Sequence, residues 1–295
     1  MTVTTENTSS TEAQKSGALS HTLYVLKENP VTLIAFMMLA FFVLSAILGE
    51  HIAPYDPLAS NSDRVLEPPS LDHWFGTDPL GRDVFSRVIT ATRLDLFIAV
   101  SAVTLSFIFG SILGCAAGYW GGKLDILLSR TLDTIMAFPI FVLAMGIVAA
   151  LGNTVENIVY ATAIINIPFY ARLVRAEVNI RRNAGFVQAA KLSGNSDLRV
   201  LAFHIYPNTL PPMMVQISLN LGWAILNAAG LSFIGLGVRP PTPEWGIMVA
   251  EGANFIVSGE WWLAVFPGLW LMLAVFTFNL LGDGLRDIVD PRQRT

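Results

Sequence analysis

"VTLIAFMMLAFFVLSAILG", Val31 to Gly49, is a run of 19 residues without an ionisable side chain, and its reading decides the fold. As a helix it is about 28 Å long, enough to cross the roughly 30 Å hydrocarbon core of a bilayer. A cleaved signal peptide would carry an apolar region of about 7–15 residues and then a small-x-small cleavage site. Neither fits, so residues 31–50 are predicted to be an uncleaved first span. Further apolar runs extend from Leu96 to Tyr119, Ile135 to Leu151, Val155 to Ala171, Leu210 to Leu236 and Leu263 to Leu281. The sequence therefore predicts an all-α integral membrane protein with six transmembrane helices. The two short runs flanking Asn153 also fit a re-entrant hairpin, which would leave the parity unchanged.

Composition agrees. The 295 residues are 53% hydrophobic and only 14% charged, whereas soluble domains carry about 25% charged residues. A net charge of -4 gives no basic excess for nucleic acid, and none is expected as a partner. The single cysteine, Cys115, excludes an internal disulfide. Lys and Arg near span ends are retained in the cytoplasm. With six spans, both termini share a side with 13 of the 18 basic residues, including Lys15, Lys27, Lys123, Arg181, Arg286 and Arg292. Arg64, Arg82, Arg87, Arg93 and Arg239 lie opposite. The predicted organisation is a cytoplasmic tail over 1–30, flexible in its Ser/Thr-rich first 20 residues, and a first span over 31–50. An external segment over 51–93, a five-span core over 94–283 with a cytoplasmic loop over 172–207, and a cytoplasmic tail over 284–295 complete it.

The middles of the spans lack ionisable residues, which proton relays and ion coupling require. Asn166, Asn220 and Asn227 are the main polar residues at depth. They serve either as hydrogen-bonding contacts between helices or as polar contacts along a passage. Pro139 and Pro168 each remove a backbone hydrogen bond and are expected to bend the third and fourth spans, a feature that suits a pathway but is also ordinary in membrane helices. The four histidines, His21, His51, His73 and His204, form no metal-binding motif. "GYWGGKL", Gly118 to Leu124, fails as a phosphate loop because Ala117 and Leu124 replace its first glycine and its Ser/Thr. No nucleotide-binding domain fits elsewhere, so any ATP must be bound by another chain.

The loop from Arg172 to Tyr206 is patterned. Phe186, Val187, Ala189, Ala190 and Leu192 predict a short helix, and Gly194 is placed to end it in the left-handed conformation. Asn195 or Ser196 can cap a second helix with Leu198, Leu201, Ala202 and Ile205 at helical spacing, stopped by Pro207. Such a knob either inserts into a groove on a partner or is a solvated turn between spans.

"QAAKLSGNSDLRVLAFHIYPN", Gln188 to Asn208, resembles the E-A-A-x-x-x-G loop of binding-protein-dependent ABC importer permeases. Three more stretches resemble the C-type permease of dipeptide, oligopeptide and nickel importers: "HWFGTDPLGRDVFSRVITATRLDL" (His73 to Leu96), "GLSFIGLGVRPPTPEWGIMV" (Gly230 to Val249) and "FNLLGDGLRDIVDPR" (Phe278 to Arg292). Together they cover most of the chain after residue 30. Gln188 stands where the family usually has Glu, Tyr206 where it has Leu, and Thr92 where it has a glycine that bears on a turn before Arg93.

The resemblance implies a type I ABC importer permease fold in a bacterial cytoplasmic (inner) membrane. It implies that Gln188, Ala189, Ala190, Lys191, Ser193, Gly194 and Asn195 couple to an ATPase. The implied partners are a second, homologous permease, two ABC ATPase subunits that hold ATP and Mg2+, and an external substrate-binding protein. No cofactor is expected on this chain. The cargo would be a di- or oligopeptide, a nickel chelate, glutathione or a similar solute.

Read physically, Asp78, Arg82, Asp83 and Arg87 alternate in sign at spacings that pair along a short interfacial helix; the segment could also receive the binding protein. Arg239-Pro240-Pro241-Thr242-Pro243 is a stiff loop, with Trp245, Trp261 and Trp262 placed to anchor it at headgroups. Arg286 is placed to cap the last span and pair with Asp283 or Asp287. Two other classes share the six-span pattern: an ion-driven secondary carrier, opposed by the lack of ionisable residues at depth, and a non-transporting scaffold that uses the knob to hold a partner.

Overall fold

The computed structural model describes residues 29–289. The expected flexible tail and the Lys15, Lys27, Arg292 and Arg294 charges lie outside the described residues. Helix α1, Pro30–Ile52, starts where the sequence dictates. Pro30 has no N–H to leave unpaired, and the Asn29 side chain accepts from the Val31 and Thr32 amides. Only Thr32, Ala35, Phe42, Ser45 and Gly49 are buried. Met37, Phe41, Leu44 and Ile47 face outward, as a lipid-facing span permits.

Helix α2, Val84–Trp120, is 37 residues long and begins above the span expected from Leu96. Asp83 sets its start by accepting from the Ser86 amide and hydroxyl, each at 2.7 Å, while His73 Nδ1 lies 2.8 Å from its other oxygen. The expected interfacial helix over Asp78–Arg87 does not form as such. Gly81, at φ 69, instead closes a turn on the Asp78 carbonyl at 2.8 Å, a conformation that stops a helix from running through it. The charges still pair: Arg82 Nε sits 2.6 Å and Arg87 Nε 3.6 Å from Asp78 Oδ2, all buried. Thr92 lies inside α2, in no turn, and accepts from Trp270 Nε1 at 3.2 Å.

Gly121 and Gly122 then reverse the chain into α3, Gly122–Ala137, which meets α4, Ile140–Leu151, at 90°. The span from Ile135, expected to bend at Pro139, is broken there outright. Pro139 lacks an N–H and drives Phe138 to an extended conformation (φ -81, ψ 145). At about 18 Å, α4 alone is too short to cross. Helix α5, Val155–Arg181, runs through Pro168 without a break. Helix α3 lies against it through Asp125–Arg175 and Asp133–Arg172, each 2.5 Å, and α4 continues along it to the Gly152 turn. Beside the bent pair stand five helices long and apolar enough to span; the pair adds a sixth where it is one broken span and none where it is a re-entrant loop.

The seam between α2 and α5 is set by Gly110, Gly114 and Gly118, four residues apart. A Cβ on Gly114 would lie 2.5 Å from the Ala171 carbonyl oxygen, so only glycine lets the two backbones come this close.

After α6, Gly185–Leu192, the chain enters α7, Asp197–Phe233. Pro207 does not stop this helix as expected. A π turn over Leu201–Ile205 and a 3-10 turn over Tyr206–Thr209 widen and then tighten the ladder around the missing Pro207 N–H. Helices α8, Trp245–Ala253, and α9, Trp262–Val289, complete the bundle. Trp245 and Trp262 are buried rather than anchored at headgroups, and donate from Nε1 to the Val88 and Thr77 carbonyls at 3.0 and 3.3 Å. Trp261 alone of the three is exposed.

Candidate functional site

The knob has an inner and an outer face. Val187 and Ala190 of α6 pack with Val200, Leu201 and Ile205 of α7 against Cys115, Val174 and Val178 of α2 and α5. Gly194 takes φ 82, and its N–H reaches the Lys191 carbonyl at 3.0 Å. Asn195 does not cap the second helix; its Nδ2 reaches back to the Ala190 carbonyl at 2.9 Å, and Ser196 makes no side-chain cap. Lys191 Nζ sits 3.5 Å from Asp197 and 5.0 Å from the Tyr119 ring, while Tyr119 donates to Asp197. The knob is thereby fixed to the end of α2.

Outward from it project Gln188, Ala189, Lys191, Leu192, Ser193 and Gly194. Of the expected coupling residues, Ala190 faces inward and Asn195 is half-buried. Of the residues expected on the apolar face of the second helix, Leu201 and Ile205 are buried, as is Val200, while Leu198 and Ala202 are exposed.

A second feature is a groove between α5, α7 and α9. Its deep end is a cavity of about 360 Å³ lined by Asn166, Gln216, Asn220, Trp223 and Asn279 among others. It shares Gln216 and Leu219 with a wider cavity of about 970 Å³ that reaches Arg181, Asp283 and Arg286 at the knob end of the bundle. The structure thus brings Asn166 and Asn220 together and leaves Asn227 elsewhere: it is buried, with its Nδ2 unpaired, and does not line the groove. Gln216 and Asn279 were missed. Gln216 precedes Asn220 by one helical turn in an apolar run, which is a legible signal; Asn279 becomes relevant only once α9 packs beside α7. Arg286 makes no ion pair with Asp283 or Asp287 among the described residues. Asp287 instead accepts from Asn29 Nδ2 at 2.9 Å, tying α9 to the start of α1.

At the other end of the bundle two carboxyl groups are fully buried together. Asp95 lies in α2, about 35 Å along the helix from Gly118. Glu244 caps α8 by accepting from the Gly246 and Ile247 amides at 3.0 and 2.8 Å, and is buried beside Asp95. Asp95 Oδ2 also accepts from the Trp245 amide at 3.2 Å. Burial raises the Glu244 carboxyl above its ordinary value. Asp95 stands one residue outside the span expected from hydropathy, which is why the pair was missed. Among the described residues no group of three or more His, Cys, Asp or Glu side chains is arranged to hold a metal ion.

Comparison with known proteins matches residues 110–295 to the family described as binding-protein-dependent transport system inner membrane component. Residues 19–69 match the N-terminal TM domain of oligopeptide transport permease C. A dipeptide transport system permease protein of Alkalihalophilus pseudofirmus is 43% identical over 270 residues, 92% of this chain and 88% of the relative. A probable D,D-dipeptide transport system permease protein of Escherichia coli is 41% identical over 97% of both chains. A glutathione transport system permease protein of E. coli is 42% identical over 90% of this chain and 88% of the relative.

Proposed function

The chain belongs to the inner-membrane components of binding-protein-dependent transport systems, a multi-pass membrane family, and from that premise we propose that it is one permease half of an ATP-driven importer. Its cargo is a di- or oligopeptide or a similar small solute, in keeping with the names of its relatives. It performs no covalent chemistry. Two separate ATPase subunits bind ATP and Mg2+, a homologous permease supplies the other half of the passage, and a binding protein delivers cargo at the external face. Both termini and the knob are cytoplasmic, in line with the distribution of Lys and Arg.

The observation that carries this reading is the two-sided knob. Its outer face is free to enter a cytoplasmic partner, while its inner face packs on the ends of α2, α5 and α7. A push on it moves those helices, two of which line the groove, as rigid bodies, and the groove then opens alternately to each side. The lining from Asn166 to Asn279 carries no titratable group, which suits passage driven from outside the membrane domain rather than by protons.

The test is Gly194→Phe. Nothing lies within 4 Å of a Cβ there, so the bundle has room for the side chain, but the φ of 82 is unfavourable for any residue with a Cβ. Uptake is expected to fall at least tenfold with membrane insertion intact; unchanged uptake would refute the coupling role. Uptake that persists without ATP would instead favour a secondary carrier. Undiminished uptake after deletion of the chain, with loss of a partner from the membrane, would favour a scaffold.

A further inference from the structure

Helix α3 crosses the end of the bundle that carries the knob. From Asp125 to Asp133 it advances about 12 Å, while the arginines that these pair with, Arg175 and Arg172, stand only about 4.5 Å apart along α5. Helix α4, at 90° to α3, packs on α5 through Ala144 and Val148. Helix α3 therefore runs across the bundle and not along it. Its level is that of the membrane surface. The charge-free run of α2 from Leu96 stops at Trp120, three residues before Lys123. Trp120 and Phe138, 48% and 53% exposed, flank α3 at its two ends.

The outer stripe of α3 is Lys123, Ile126, Leu127 and Arg130, at the i, i+3, i+4, i+7 spacing of one helix face. Ile126 and Leu127 are each 64% exposed, and both cations are exposed. Every carboxylate on α3 and on the adjoining end of α5 is already engaged: Asp125 with Arg175, Asp133 with Arg172 and Glu177 with Arg181. Lys123 and Arg130 make no ion pair among the described residues. Arg182, beside the start of α3, donates to the Gly118 carbonyl at 3.1 Å rather than to an acid. Unmatched cations on the same stripe as bare aliphatic side chains fit a ligand with an anionic head and an apolar body.

We propose that α3 is an interfacial helix whose stripe binds anionic phospholipid in the leaflet at the knob end, with Lys123 and Arg130 at the headgroup phosphates and Ile126 and Leu127 against the acyl chains. A free phosphate would satisfy the cations and leave the aliphatic side chains in water. A zwitterionic lipid brings its own cation to a surface that already has an excess of them. The inference stands on α3 and its neighbours and does not depend on the importer reading.

The test uses the full chain with its native companions in nanodiscs of phosphatidylcholine and phosphatidylglycerol. A bimane on Leu127→Cys, read against the same complex without that substitution, is quenched by trace spin-labelled phosphatidylglycerol in one sample and spin-labelled phosphatidylcholine in another. The native Cys115 is buried and takes no label. Quenching by phosphatidylglycerol should exceed quenching by phosphatidylcholine. Lys123→Gln and Arg130→Gln should each cut that preference about fivefold, the change expected for one cation at an anionic surface, and together abolish it, with the unfolding temperature unchanged. Equal quenching by the two lipids, or a preference that survives the double variant, would overturn the site. Competition by inorganic phosphate would overturn it by assigning the cations to a free anion. Absence of quenching by either lipid would overturn it too, and a cross-link from Leu127→Cys to a companion chain would then assign the stripe to a protein contact.

Discussion

Leu192 offers the sharpest quantitative test of the knob. It is 89% exposed, so Leu192→Ala removes almost no packing within the chain. Its effect on the stability of the bundle should stay within about 0.5 kcal/mol. If the knob seats in a groove of an ATPase, the same side chain becomes buried there, and burying a leucine contributes about 1.5–3 kcal/mol. Truncation to alanine forfeits most of that, which corresponds to an affinity about ten- to one-hundredfold weaker. The assay titrates ATPase subunits onto the purified permease pair in detergent, with thermal unfolding measured on the same samples. Val187→Ala is the mirror control: Val187 is fully buried in the inner face, so it should cost about 2 kcal/mol of stability. Wild-type ATPase affinity in Leu192→Ala would refute a knob that buries its tip in a partner.

Gly114→Leu should destabilise the bundle by more than about 3 kcal/mol, because a Cβ already lies 2.5 Å from the Ala171 carbonyl oxygen and the helices must part to accept the rest; thermal unfolding in detergent reads it. Glu244 makes stability depend on pH. Burial holds its proton more tightly in the folded state, so its contribution is full below the ordinary carboxyl value of 4.5 and is lost as pH rises through the raised folded value. The unfolding temperature should fall over that range in the wild type and less steeply in Glu244→Gln. Orientation is tested by cysteine labelling with an impermeant maleimide. Leu71→Cys, at a position 96% exposed, should react in cells whose outer barrier is opened, while Ala189→Cys should react only after the inner membrane is breached. The native Cys115 is buried and should stay silent.

Elements whose cause is local were legible in the sequence. Val31–Gly49 announces a span by length and lack of charge, and Gly194 announces a left-handed helix end. Elements caused by tertiary contact were not. Residues 84–95 contain Ser86, Arg87, Thr92, Arg93 and Asp95, and hydropathy starts the span only at Leu96. They are helical because Asp83 caps them, Asp78 faces Arg87 and Glu244 covers Asp95. A proline that bends a span and one that breaks it look alike in sequence. At Pro139 the preceding Phe138 is extended and the chain breaks by 90°, whereas Pro168 is carried through a helix with buried residues along its length. The asparagines illustrate the same limit at the site. Asn166, Asn220 and Asn227 are equivalent as polar residues in apolar runs, and only the packing of α5, α7 and α9 separates the two that line the groove from the one that does not.

The central claim is that this chain transmits the work of separate ATPases to a passage it forms with a second permease. The most direct measurement is purification of the tagged chain from native membranes in mild detergent, identification of what accompanies it, and assay of ATP hydrolysis with and without the binding protein. The account predicts one homologous permease, two ATPase subunits and hydrolysis stimulated by the loaded binding protein. Recovery of the chain alone, with transport still running on an ion gradient, would contradict it.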